Sequence, residues 1–97
     1  MLIKLIEAQQ VGEQYTDHHN RHTTRVALNK RERFVNPTNV VDVHSYSFPS
    51  DYLTEENVSK VGRAFSKVVT TQGSFVAVGT PGEISEMLND GRSLLKG

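Results

Sequence analysis

The segment 67–79, KVVTTQGSFVAVG, constrains the fold most, because two runs rich in β-branched residues flank Gln72-Gly73. A glycine-containing pair between two such runs is typical of a tight turn, and β-branched side chains favour strands. The segment therefore predicts an antiparallel β-hairpin, the clearest structural signal in the chain.

The sequence TPGE directly after this hairpin predicts a helix. Thr80 is the expected N-cap, Pro81 suits the first helical position, and Glu83 completes a capping box. One face then carries the apolar residues Ile84, Met87 and Leu88, which Leu94 and Leu95 extend past Gly91. A helix N-terminus can bind phosphate. Because Glu83 would occupy that end, we interpret TPGE as a structural cap.

The first half of the chain predicts further strands. Alternating or β-branched residues mark the runs 2–8, 24–28 and 39–47. NKRE at 29–32 is expected to turn, after which Phe34-Val35 resumes the strand until Asn36-Pro37 interrupts it. The polar residues 9–23 are expected to form a loop or the tip of a long hairpin.

A second helix is predicted from Thr54, a good N-cap that is followed by two glutamates. Its apolar stripe comprises Val58, Val61, Ala64 and Phe65. Gly62 weakens this helix by about 1 kcal/mol relative to alanine, so a short helix is expected. These elements predict an α+β fold, with a small antiparallel sheet of about five strands and one or two helices packed on one face.

The length, cysteine content and net charge of the chain limit the class of protein to which it can belong. The 97 residues suit a single domain spanning 1–97, and its thin core favours a homo-oligomer, in which the arm at 9–33 would complete a neighbour's sheet. There is no cysteine, which excludes disulfides and thiolate metal sites. Eleven basic and eleven acidic residues cancel, so general attraction to nucleic acid or membranes is not indicated. MLIKLIEAQQ resembles neither a signal peptide nor a membrane span, and a cytoplasmic location is expected.

Residues 16–25, TDHHNRHTTR, hold three histidines beside an aspartate and two arginines. Three interpretations stay open: a solvent-exposed polar loop, a metal site formed by His18, His22 and Asp17, and a binding site for an anionic ligand. No fixed metal motif such as HExxH is present, so we expect no metal. A guanidinium group can donate two parallel hydrogen bonds to one phosphate. Because side chains alternate along a strand, Arg31 and Arg33 are expected on the same side. A charged edge strand that resists aggregation would show the same pattern. The candidate ligand-binding residues are Arg21, His22, Arg25, Arg31, Arg33 and Phe34.

Nothing in the sequence marks catalysis. The chain has no G-x-S-x-G elbow, no P-loop and no G-x-G-x-x-G motif, so neither an enzyme nor a cofactor is expected. The expected function is a small non-catalytic binding protein that sequesters an anionic ligand, preferably a nucleotide or nucleotide-derived signal, through its basic arm in a homo-oligomer. The alternative is a regulator that binds nucleic acid or a host protein.

Residues 34–88 resemble a known family in the order of their signals. FVNPTNVVDV, a variable insert and then KVVTTQGSFVAVGTPGEISEML are similar to the small flagellar and swarming-motility regulators. The resemblance implies a β-rich regulatory or binding protein that is not an enzyme, and it supplies no site residues. The basic arm at 9–33 and the helix at 54–65 depart from that family. Small phage-encoded accessory proteins also look similar, and an anti-defence role would fit that setting.

Overall fold

The computed structural model describes the backbone of residues 2–16 and 22–96 and the side chains of residues 2–12 and 27–90. Its seven main elements follow in chain order: β1 (Ile3–Thr16), β2 (His22–Val35), β3 (Val40–Tyr46), α1 (Glu55–Val61), β4 (Phe65–Thr70), β5 (Gly73–Val78) and α2 (Pro81–Lys96). Short 3₁₀ turns at Pro37–Asn39 and Ser50–Tyr52 lead into β3 and α1. The strands form one antiparallel sheet in the order β2-β1-β5-β4-β3, which confirms the predicted α+β class.

The β1–β2 hairpin is longer than its sequence predicted. The two strands pair without interruption from Ile3 opposite Val35 to Thr16 opposite His22. The predicted turn at 29–32 is therefore wrong, and β1 does not end at residue 8. NKRE contains no glycine or proline to force a turn, and β1 offers each of its residues a cross-strand partner, such as Glu7 opposite Arg31. Of residues 9–23, expected to form a loop or the tip of a long hairpin, 9–16 and 22–23 belong to the strands, and 17–21 lie outside the described residues.

The sheet consists of two blocks that meet at one residue pair. Among the described residues, the ladder between the β1–β2 hairpin and the β3–β4–β5 meander consists of the pair Glu7 and Ala77. Within the meander, the predicted hairpin is confirmed, although its loop is Thr71-Gln72, since Thr70 pairs with Gly73. Gly73 has a φ of 132°, a conformation that side chains disfavour, and it therefore suits the start of β5.

Each face of the sheet carries its own core and its own helix. On one face, Ile84 and Leu88 of α2 pack with Leu5, Val68 and Phe75. On the other, Val61 of α1 packs with a second cluster that includes Ala8, Leu28, Phe48 and Phe65. Successive strand residues point to opposite faces, so Leu5 packs in the first core and Ala8, three residues later in β1, packs in the second. The helices thus lie on opposite faces of the sheet, whereas the sequence suggested that they share one.

The helix ends follow the predicted capping chemistry. The Thr54 hydroxyl accepts a hydrogen bond from the Asn57 N–H at 3.2 Å. At α2, the Glu83 N–H donates to the Thr80 hydroxyl at 3.2 Å, and the Thr80 N–H donates back to the Glu83 carboxylate at 3.3 Å. α1 stops at Val61 because Gly62 takes a φ of 80°. It is therefore short, as expected, but Phe65, predicted for its stripe, begins β4 instead.

Candidate functional site

The described backbone of the predicted basic arm spreads its residues along β2. Arg21 lies outside the described residues, as do the side chains of His22 and Arg25, whose backbones belong to β2. The register sets His22 opposite Thr16 and Arg25 opposite Glu13. Because β2 is continuous, Arg25 lies six residues from Arg31, or about 20 Å along the strand. A single phosphate cannot bridge positions that far apart.

Arg31 and Arg33 do come together, around a carboxylate of the protein itself. Their guanidinium groups donate to the same oxygen of Glu7, Oε1, at 3.0 and 3.2 Å. The Glu7 side chain is only 10% exposed, whereas those of Arg31 and Arg33 are 56% and 38% exposed. Arg33 also lies over the Phe75 ring, with 4.3 Å between the guanidinium carbon and the ring centroid. The two arginines therefore tie β2 to β1 and β5, and one of their two positive charges is neutralised internally.

Phe34 lies apart from both guanidinium groups. It follows Arg33 in β2, so its ring points to the opposite face of the strand, where it is 57% exposed. Its cross-strand neighbour is Lys4. Phe34 is thus not placed to stack on a ligand that Arg31 and Arg33 hold.

A better-formed basic cavity lies on the other face, between β2 and α1. It has a volume of about 500 Å³ and is lined by Ile6, Lys30, Arg31, Glu32, Lys60, Val61 and Val78. Three of these side chains are apolar, and Lys30 and Lys60 come from different elements. An adjoining cavity of about 410 Å³ shares both lysines and adds Asn29 and Ser59. We call the two cavities together the Lys30–Lys60 cleft.

Asn57 positions one wall of this cleft against the other. It is 2% exposed, and its Oδ1 accepts a hydrogen bond from the backbone N–H of Leu28 at 3.0 Å. Its Nδ2 donates to the carbonyl of Tyr52 at 2.9 Å. Leu28 lies two residues before Lys30, and Asn57 lies three before Lys60. One buried amide thus fixes the spacing of the two lysines.

The cleft keeps a positive charge after its ion pairs are counted. Lys60 pairs with Glu56 one helical turn away, at 3.6 Å. Glu32 pairs with Lys4 at 3.5 Å, which leaves Lys30 with no carboxylate partner within the described part of the chain. Arg31, which also lines the cleft, pairs with Glu7. Among these described residues, the four cations Lys4, Lys30, Arg31 and Lys60 and the three carboxylates Glu7, Glu32 and Glu56 leave one unit of positive charge. Such a surface attracts an anion, and its apolar floor of Ile6, Val61 and Val78 suits the uncharged part of the same ligand.

Sequence reasoning included Lys30 in the basic run but missed Lys60. Thirty residues separate them, and nothing in the spacing of α1 shows that its last turn faces β2. The burial of Asn57, whose amide has to find hydrogen-bond partners, becomes visible only in the structure.

No family model, curated protein or solved structure matches this chain. A function therefore has to be inferred from the geometry of the protein itself. Among the described side chains, those of residues 2–12 and 27–90, no three histidine or acidic groups are placed together as a metal site would require. The side chains of Asp17, His18 and His22, which were considered for a metal, lie outside those ranges. None of the helices in the described part is both long and apolar enough to cross a membrane.

Proposed function

We propose that this chain is a small non-catalytic binding protein that holds a compact organic anion, preferably a nucleotide, in the Lys30–Lys60 cleft. The observation that carries the proposal is the pair of lysines from β2 and α1 that flank a cavity floored by apolar side chains. Lysine ammonium groups bind phosphate as point charges. The proposal keeps the anionic ligand expected from the sequence and moves its site from the arm to this cleft.

The size and shape of the cleft favour a small ligand over a long polyanion. About 500 Å³ lies within the usual range for small-molecule sites. The single surplus charge suits one or two phosphate groups, whereas a duplex would need a row of cations to follow its backbone. A base or another flat apolar group would lie on Ile6, Val61 and Val78, and the phosphate would lie between the lysines.

A thermal-shift screen with nucleoside mono-, di- and triphosphates, cyclic nucleotides and inorganic phosphate tests this proposal. A ligand that binds only the folded state raises the melting temperature. Lys30→Gln and Lys60→Gln should each weaken binding about tenfold, because a hydrogen bond to a charged group contributes about 1.5 kcal/mol. Both lysines are exposed, so neither change should disturb the fold.

Arg63→Gln is the matched control, since it removes one exposed positive charge close to α1 but outside the cleft lining. It should leave ligand binding nearly unchanged. No shift from any of these compounds would refute the proposal, and so would a shift that survives Lys30→Gln combined with Lys60→Gln. Binding that falls steeply with salt and requires an oligonucleotide would instead support the nucleic-acid alternative.

A further inference from the structure

The strand β3 (Val40–Tyr46) forms the outer edge of the sheet, opposite the edge formed by β2. It pairs with β4 on one side, and no described strand lies on its other side. A bulge between Val40 and Asp42 leaves Val41 65% exposed, and the ladder is regular from Asp42 to Tyr46. Alternate backbone N–H and C=O groups of an edge strand point outward, where they can pair with another chain.

Donor and acceptor side chains make this edge complementary to a second copy of itself. Asp42 and His44 lie on one face of β3, and Nδ1 of His44 lies 2.7 Å from Oδ2 of Asp42. Both side chains are more than half exposed. If two copies of β3 run antiparallel about Val43, Asp42 of each lies directly opposite His44 of the other. Cross-strand pairs of opposite character stabilise such a ladder, and like charges destabilise it.

We propose that two copies of this chain associate through β3, antiparallel about a two-fold axis at Val43. The contact is isologous, so the same few residues provide both halves. It joins the two sheets into one and places two Asp42–His44 cross-strand pairs beside the one such pair within each strand. The small core of a 97-residue chain gains a covered sheet edge in this way.

A groove beside the strand gives the second copy somewhere to pack. A cavity of about 270 Å³ runs between β3 and α2 and is lined by Val40, Val41, Asp42, Val43, Ser85, Leu88 and Asn89. Val43 is half-buried on the α2 side of the sheet, so Val43 of the second copy enters this groove opposite it. The edge therefore offers both backbone pairing and apolar contact.

The β2 edge is less suited to the same role. Asn57 of α1 already occupies the outward N–H of Leu28. The four consecutive charged residues Lys30, Arg31, Glu32 and Arg33 follow, a pattern that natural edge strands use against pairing. β3 lies at the far end of the strand order from the Lys30–Lys60 cleft. Dimerisation through β3 can therefore be tested independently of ligand binding in the cleft.

Two single substitutions and their mixture test the pairing and its register. Asp42→Lys sets a lysine opposite the histidine of the second copy, and His44→Asp sets two aspartates opposite each other. Each variant alone should be monomeric by size-exclusion chromatography with light scattering, whereas the natural chain gives a dimer mass. When the two variants are mixed, both cross-strand pairs become complementary again, so a one-to-one heterodimer should form.

Recovery of the heterodimer also shows that both variants are folded, and the circular dichroism spectrum of each alone provides the same check. A natural chain that stays monomeric up to millimolar concentration would overturn the proposal. Dimers that persist in both single variants would overturn it too. Loss of the dimer in both variants without recovery on mixing would rule out the register about Val43.

Discussion

Replacing Asn57 with alanine should remove a buried hydrogen-bonding side chain that joins α1 to the edge strand β2. Its amide oxygen accepts from the Leu28 N–H, and its amide nitrogen donates to the Tyr52 carbonyl. Leu28 is fully buried, so its N–H would be left without a hydrogen-bond partner and without access to water. Tyr52 is half-buried, so water can reach its carbonyl more readily. The N-cap bond from the Asn57 backbone to Thr54 does not depend on the side chain and remains.

A lower bound on the magnitude follows from these two groups, since Asn57 has a further partner besides them. A buried backbone group without a partner costs about 1–3 kcal/mol. The Leu28 N–H should take the upper part of this range and the Tyr52 carbonyl the lower, so Asn57→Ala should lower the free energy of unfolding by at least about 2–4 kcal/mol. That is a large share of the roughly 5–15 kcal/mol typical of a domain.

Urea denaturation of Asn57→Ala, with Asn89→Ala as the control, measures this cost. Asn89 is an exposed asparagine on α2, and its replacement should change the free energy of unfolding by less than about 0.5 kcal/mol. Amide hydrogen exchange gives a second readout, because the Leu28 N–H should lose protection only in Asn57→Ala. Equal stability of the two variants, with protection of Leu28 intact, would refute the role given to Asn57.

Two further substitutions test the sheet joint and the end of α1. Glu7→Gln removes the charge shared by two guanidinium groups and should cost about 1–2 kcal/mol, measured by urea denaturation, since both arginines are partly exposed. Glu32→Gln breaks only an exposed ion pair and should cost less than about 0.5 kcal/mol. An equal loss of stability in the Glu7 and Glu32 variants would contradict the bridging role given to Glu7. Gly62→Ala should lower the melting temperature, because φ 80° and ψ −164° suit almost only glycine, at a cost of about 1–3 kcal/mol. Gly82→Ala, inside α2 with ordinary contacts around the added carbon, should be neutral or stabilising, and a comparable loss there would contradict the conformational explanation.

The elements that sequence predicted correctly are those with local signals. The Thr80–Glu83 capping box, the Thr54 cap and the short hairpin each depend on residues within four positions of one another. The path of 29–32 was predicted wrongly because its strand conformation depends on β1, more than twenty residues earlier in the chain. Local propensity carries no information about such a partner.

The same limit applies to the candidate site. Alternation in the sequence placed Arg31 and Arg33 on one side of β2, and they do lie together. Their partner Glu7 comes from another strand, so alternation along β2 could not show that a carboxylate already lies between them. Lys60 reaches Lys30 only because α1 packs on β2, a tertiary contact that the pattern of neither element contains.

The arrangement around Glu7 explains why this chain uses two arginines where a ligand site was expected. The β1–β2 hairpin meets the meander at the single pair of Glu7 and Ala77, so the ladder alone resists rotation between the two blocks weakly. The Glu7 side chain holds Arg33 at that point, and Arg33 covers Phe75 in β5. A charged, rigid guanidinium can bond a carboxylate at its edge and lie on a ring with its face, which lysine cannot do. The arginines therefore reinforce the joint on one face of the sheet, and the proposed ligand site lies between Lys30 and Lys60 on the other face.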